Sequence, residues 1–192
     1  MKKKICLLAL ISIYSCGLGP KKIDGFDNYK KVIILNNSIF PLKTNGIYVS
    51  INEGNSLKGI KGFYLYKNGI YHYEYFDDNF WLSPEKELKK RSSYYENSND
   101  FGEYIIRKDT IIIQDFYSNN NEFYSKKILE YKDVILSDTI VKILSSYTLN
   151  KEELLGEPII YRFYPISKKP DSTKAWFLDR KWYKKGLHKS RK

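Results

Sequence analysis

Apolar residues fall into one almost unbroken block near the start of the chain and many short alternating stretches after it. The block is residues 5–13, preceded by Lys2, Lys3 and Lys4 and followed by Ser15-Cys16-Gly17. It is far shorter than the roughly 20 residues needed to span a bilayer. A charged start, a short apolar run and small residues are instead the parts of a secretory signal. Residues 17–30, rich in Gly, Pro, Lys, Asp and Asn, read as a tether. A β-branched run, Val32-Ile33-Ile34-Leu35, opens the folded domain, and residues 46–51 fit a second strand. Gly54, Gly59 and Gly62 mark a loop after it.

Residues 63–67, then Asn68-Gly69, then residues 70–76 form a β-hairpin pattern. Asn-Gly suits a two-residue type I′ turn, in which both positions take positive φ. That turn sets Tyr66 opposite Tyr71 and Tyr64 opposite Tyr73. Side chains alternate along a strand, so Tyr64, Tyr66, Tyr71, Tyr73 and Tyr75 share one face. Five rings with hydroxyls make a platform for flat or sugar-like ligands, or the lining of an amphipathic cavity if the face points into a barrel. The same face also reads as ordinary core or half-wet sheet surface.

The pattern continues in the same style. Ser83-Pro84-Glu85 looks like a helix start, with Ser as cap and Pro in the first turn, and predicts a short helix to about Arg91. Residues 101–117 read as a second hairpin turning near Lys108-Asp109. Residues 122–131, 134–136 and 139–146 continue as strands, residues 151–156 fit a single helical turn, and residues 159–164 a last strand. Residues 173–183 are ambiguous between strand and helix. Eight or nine short strands with short links predict a mainly β domain, a single antiparallel up-and-down barrel or sandwich with one or two short helices. A closed barrel that resembles lipocalins is the first choice, because closure removes exposed strand edges.

Ile13-Tyr14-Ser15-Cys16 resembles a lipobox, the processing signal of bacterial lipoproteins. The resemblance covers about the first 17 residues. It implies diacylglycerol on the Cys16 sulfur and cleavage before it. Ordinary cleavage after Gly17 is the rival reading. Cleavage before Cys16 leaves 177 of the 192 residues, enough for one domain with a real core. Of the two cysteines, Cys6 is lost with the signal and Cys16 is acylated. The mature chain then has no thiol chemistry and no disulfide. The organisation expected is a signal at 1–15, lipidated Cys16 and tether at 16–30, a β domain at 31–179 and a basic tail at 180–192.

The net charge of +11 concentrates at the two ends. Three lysines sit in the signal. Arg180, Lys181, Lys184, Lys185, Lys189, Arg191 and Lys192 sit in the last 13 residues, which hold no acid. The remaining 23 basic residues face all 22 acids, so the body is near neutral. That is no footprint of a nucleic-acid binder. The basic tail could contact anionic headgroups or serve as a solubilising end.

Catalytic patterns are absent from the sequence. His72 and His188 are the only histidines, and His72 shares a strand face with Glu74. A metal site needs more ligands at suitable spacing. The acidic pairs Asp77-Asp78, Glu85 with Glu87, and Glu152-Glu153 read as solvated charge. Residues 97–103 fail as a calcium loop because Phe101 occupies a ligand position. Asp109-Thr110-Ile111, Asp138-Thr139-Ile140 and Asp171-Ser172-Thr173 resemble the short O-glycosylation motif of exported Bacteroidota proteins. The start of a strand explains the first two equally well. The expectation is a non-enzymatic envelope lipoprotein without cofactor, held by its lipid, binding a small amphipathic ligand or an envelope partner. The alternative is an immunity or inhibitor lipoprotein using the loop at 77–100. Gly17 in place of Asp after the cysteine favours the outer membrane.

Overall fold

The computed structural model describes residues 26, 42–51, 60–76, 80, 83, 86–87, 100–118, 126–148 and 151–190, with only the backbone at 117–118, 126–127, 144–148, 151–157 and 186–190. The expected signal, Cys16, the strand at 32–35, Arg191 and Lys192 lie outside the described residues, as do most of residues 77–99. In the short helix expected from Ser83, Lys86 and Glu87 are helical, and the Glu87 amide donates to the Ser83 carbonyl at 3.1 Å.

Eight strands follow one another: β1 Gly46–Ser50, β2 Ile60–Leu65, β3 Ile70–Phe76, β4 Phe101–Arg107, β5 Thr110–Ser118, β6 Lys126–Ser137, β7 Ile140–Thr148 and β8 Lys151–Pro165. Each pairs antiparallel with the next, and β8 returns to β1 through five pairs from Gly46↔Pro165 to Ser50↔Tyr161. The result is a closed up-and-down barrel of lipocalin-like architecture. A 3-10 turn, Ser172–Lys174, and helix α1, Lys181–Ser190, follow β8.

Strand alternation sorts the apolar residues into two cores. Inside the barrel, all eight strands contribute to one cluster that includes Tyr48, Phe63, Tyr71, Ile106, Ile111, Ile135, Val141 and Tyr161. Outside, Ile47, Val49, Tyr64, Tyr66, Ile70 and Phe101 are covered by Phe26, Ala175, Phe177 and Tyr183. The segment expected as a basic tail from residue 180 is therefore the helical cover of a second core. Its rings do this: Tyr183 is buried, and its hydroxyl donates to Glu103 Oε1 at 2.5 Å.

The first hairpin corrects the expected register. Phe63 pairs with Tyr73, Tyr64 with His72 and Leu65 with Tyr71. The loop is Lys67-Asn68-Gly69, three residues rather than two, closed by the Tyr66 amide on the Ile70 carbonyl and the Gly69 amide on the Tyr66 carbonyl, both 3.0 Å. Of these loop residues only Gly69 is left-handed, at φ 81°, whereas a type I′ turn needs two such residues. A one-residue slip exchanges the two faces. It sends Tyr64 and Tyr66 to the outside of the barrel and keeps Tyr71, Tyr73 and Tyr75 within.

Three smaller expectations also change. Gly62 lies within β2, not in a loop: a Cβ there would come within 2.7 Å of the Phe76 ring, so close packing calls for glycine. β6 runs unbroken through Lys132 and Asp133, with a register shift against β7 at that point. Residues 151–156 are strand, paired with β7 from Ser145↔Leu154 to Thr148↔Lys151, so sheet pairing overrides the local helical pattern.

Candidate ligand-binding cavity

A cavity of about 340 Å³ opens within the barrel beside Tyr71, Tyr73 and Tyr75 of β3. Two further tyrosines complete its aromatic wall, Tyr131 from β6 and Tyr161 from β8. Ile113, Leu129, Ile143 and Ile159 supply apolar surface. Asp115, Asp133 and Lys61 are the charged residues of the lining. Thus three of the five expected tyrosines line the cavity. Tyr64 and Tyr66 do not: both are buried in the outer core.

Register gives the cavity its levels. Descending along β5 and β6, the inward pairs are Asp115↔Leu129, Ile113↔Tyr131 and Ile111↔Asp133. Each step of two residues is about 7 Å along the strand. Tyr75 and Lys61 pair across β3 and β2 at the mouth, where Tyr75 is 55 % exposed. Asp133 is at the deep level, between Ile111 of β5 and Ile143 of β7, and is 0 % exposed. Below lies packed core: the Phe63 ring stacks on Tyr48 at 5.0 Å and meets Tyr161 at 5.0 Å and Tyr71 at 5.7 Å.

Burial raises the pKa of Tyr71, Tyr73, Tyr131 and Tyr161. Tyr71 is held well above its ordinary value by desolvation first, then by the charge of Asp115 and the proximity of other titrating phenols. Tyr73 is raised by desolvation, by Tyr161 and by a hydrogen bond with Tyr75. Its ring meets that of Tyr75 edge-on at 4.8 Å. Desolvation also leads for Tyr131, followed by Asp115, and for Tyr161, followed by Asp133. These phenols are neutral donors and acceptors at physiological pH.

Sequence reasoning missed Tyr131, Tyr161, Asp115, Asp133 and Lys61. One signal was present. Leu129, Tyr131, Asp133 and Ile135 share a strand face, as do Ile111, Ile113 and Asp115, so an acid interrupts an otherwise inward-facing row. Reading Lys132-Asp133 as a gap between strands hid that interruption.

The other candidates are elsewhere. His72 is buried on the outer face between the rings of Tyr64 at 5.6 Å and Phe101 at 4.4 Å. Its Nδ1 is 3.1 Å from the Asp100 carbonyl, and its Nε2 is 3.6 Å from Glu74 Oε2. Among the described residues no group of three His, Cys, Asp or Glu could hold a metal. Among the basic residues, Arg180 is 5.4 Å from the Trp176 ring, Lys184 pairs with Asp179 at 3.1 Å, and Lys181 and Lys185 are exposed on α1. The three Asp-Thr and Asp-Ser-Thr motifs are turn and cap elements. Thr110 Oγ1 donates to Asp109 at 3.1 Å, the Thr139 amide in the turn before β7 donates to Ser137 Oγ at 3.2 Å, and Asp171 caps the 3-10 turn by accepting from the Thr173 amide and hydroxyl. Those two bonds hold the Asp171 carboxyl below its ordinary range, the amide contributing most.

No family model, no curated protein and no solved structure matches this chain. The reading of function therefore rests on the barrel and its cavity.

Proposed function

We propose that this chain is an exported, lipid-anchored envelope protein, without enzymatic activity or cofactor, whose barrel binds a small amphipathic ligand. The observation that carries the reading is the cavity. A barrel of this size has an interior that side chains can fill or that can hold one small ligand. Here one part is filled and the other keeps about 340 Å³ among five tyrosines, a volume within the range of small-molecule sites. Rings supply apolar contact and phenols supply hydrogen bonds, the combination an amphipathic ligand needs.

The charged start, apolar run and Cys16 support the anchor. So does the position of Phe26, whose ring meets Phe177 at 5.2 Å and Trp182 at 5.9 Å. Ten residue steps separate it from Cys16, a reach of at most about 35 Å. The lipid on Cys16 would thus emerge within that distance of α1, whose exposed Lys181 and Lys185 suit anionic headgroups. Two acyl chains suffice for stable attachment without a transmembrane helix. The outer membrane is the leaflet system we favour.

Binding of the neutral probe N-phenyl-1-naphthylamine to the purified mature protein tests the cavity. Wild type should raise its fluorescence, and Ile143→Trp, which fills the cavity, should weaken binding at least tenfold with the β-sheet circular dichroism retained. Equal binding by the two proteins would remove the reading. For the anchor, Cys16→Ala should move the protein to the soluble fraction or stall its processing, and unchanged membrane retention counts against it.

A further inference from the structure

We infer that the cavity takes a cationic ligand: an organic ammonium on a short apolar body, its charged head directed toward Asp133. The inference rests on the ligand-binding reading above and adds the chemical class. The lining holds two carboxylates, Asp115 and Asp133, and one lysine, Lys61. Their positions differ. Lys61 is level with the exposed Tyr75 at the mouth, whereas Asp133 is fully buried between Ile111 and Ile143. One negative charge, that of Asp133, is therefore deep, while Asp115 and the positive Lys61 stand nearer the mouth.

A neutral hydroxylated ligand could be held by the phenols and could donate to Asp133, but it brings no charge to match the carboxylate. A cation entering the cavity is attracted to that charge. The walls suit the same ligand. Tyr131 stands one level above Asp133 and one below Asp115, and Tyr161 feels the charge of Asp133. A cation between such rings is attracted to their faces as well as to the acids, the mode by which aromatic cages hold quaternary ammonium groups. An anionic amphiphile would set its charge against two carboxylates. A bare metal ion is not favoured, because among the described residues no three ligands converge.

The test compares three probes of one length, octylammonium, octanol and octanoate, by titration calorimetry at pH 7 with the mature protein. Octylammonium should bind at least tenfold more tightly than the other two. Asp133→Asn should reduce it to the level of octanol while leaving octanol unchanged, and Ile143→Trp should remove octylammonium binding. Octanol or octanoate binding as tightly as octylammonium overturns the inference and leaves the ligand-binding reading standing. A preference that survives in Asp133→Asn overturns the role of Asp133. Should Asp133→Asn not fold, the wild-type comparison decides alone. No binding by any octyl probe overturns the inference. The naphthylamine result then separates the two failures: if that probe also does not bind, the ligand-binding reading falls with it.

Discussion

The two ends of the barrel use the same residue in opposite ways. At one end, successive strands are joined by the tight turns at 67–69, 108–109 and 138–139. There the Tyr48 hydroxyl donates to the Asp138 carbonyl at 2.9 Å, Tyr104 to the Tyr66 carbonyl at 2.8 Å, and Tyr66 to the Pro170 carbonyl at 2.8 Å. The Lys169 ammonium adds a plug: it donates to the carbonyls of Thr44 and Leu65 and stands 4.0 Å from the centre of the Tyr66 ring. At the other end the strands lead into residues 52–59, 77–99 and 119–125, and Tyr71, Tyr73, Tyr75, Tyr131 and Tyr161 surround open volume with two carboxylates. A tyrosine whose hydroxyl reaches a backbone carbonyl ties strands together. One that faces other phenols, acids and space forms a wall for something else. A barrel can carry such a cavity because its other end supplies the packing.

The largest effect should come from alkaline pH, which strikes both ends at once. Tyr48, Tyr66 and Tyr104 at the closed end, and Tyr71, Tyr73, Tyr131 and Tyr161 at the cavity, all have pKa values raised above their ordinary value near 10, chiefly by burial. Below pH 10 folded and unfolded chains both keep these protons, and no stability is lost. Above it the unfolded chain releases protons that the folded barrel retains. Stability then falls by about 1.4 kcal/mol per pH unit for each such phenol. Seven phenols should unfold the domain cooperatively between pH 10 and 12. The chain has 18 tyrosines, so the comparison is of wild type with Tyr131→Phe and Tyr161→Phe: the phenolate absorbance at 295 nm that these substitutions remove should belong to the step that accompanies loss of the β-sheet signal. If it belongs to phenolate that appears while the sheet persists, water already solvates the cavity wall, and the two ends are separated further.

A pair of truncations tests the packing difference directly. Phe63 is fully buried below the cavity, in contact with Tyr48, Tyr71 and Tyr161. Phe63→Ala should cost about 3–5 kcal/mol, because lost burial and a new void add together. Leu129 is half-buried and borders existing space, so Leu129→Ala leaves little new void and should cost about 2 kcal/mol, the low end for such a truncation. Urea unfolding of both variants checks this. Similar losses at the two positions would mean that the cavity end is as tightly packed as the closed end.

Much of this contrast could be read from the chain, and the failures have a common cause. Alternation and turn residues were enough for the meander, the barrel and the hairpins turning at 68–69 and 108–109. What they could not supply was register, because Asn68-Gly69 fits a two-residue turn and a three-residue one equally well. That single residue decides whether Tyr64 and Tyr66 join Tyr71, Tyr73 and Tyr75. Tyr131 and Tyr161 reach the cavity only through closure, which brings β6 and β8 opposite β3, and local pattern carries no distance across a barrel. Asp133 was hidden by the habit of treating a charged pair as a break, when one of its two members points inward. The C-terminal segment misled through composition: its basic residues mask the rings of Trp176, Phe177, Trp182 and Tyr183, which cover the outer core.

The smallest effect is the sharpest test of the two uses of tyrosine. Replacing Tyr by Phe removes one oxygen and leaves the ring. At Tyr66 and at Tyr104 that deletes a buried hydrogen bond and leaves the Pro170 or Tyr66 carbonyl without that donor. Each variant should lose about 1 kcal/mol, within the usual range of 0.5–1.5 kcal/mol for such a bond. At Tyr131 the hydroxyl belongs to the cavity wall, so Tyr131→Phe should change stability by less than about 0.5 kcal/mol, the range of substitutions that break no structural feature. The same substitution should alter probe binding, while Tyr66→Phe and Tyr104→Phe should leave it unchanged. Thermal melts and naphthylamine titrations of the three variants give both readings. If Tyr131→Phe destabilises as much as Tyr66→Phe and leaves binding untouched, the cavity tyrosines are structural like those at the closed end.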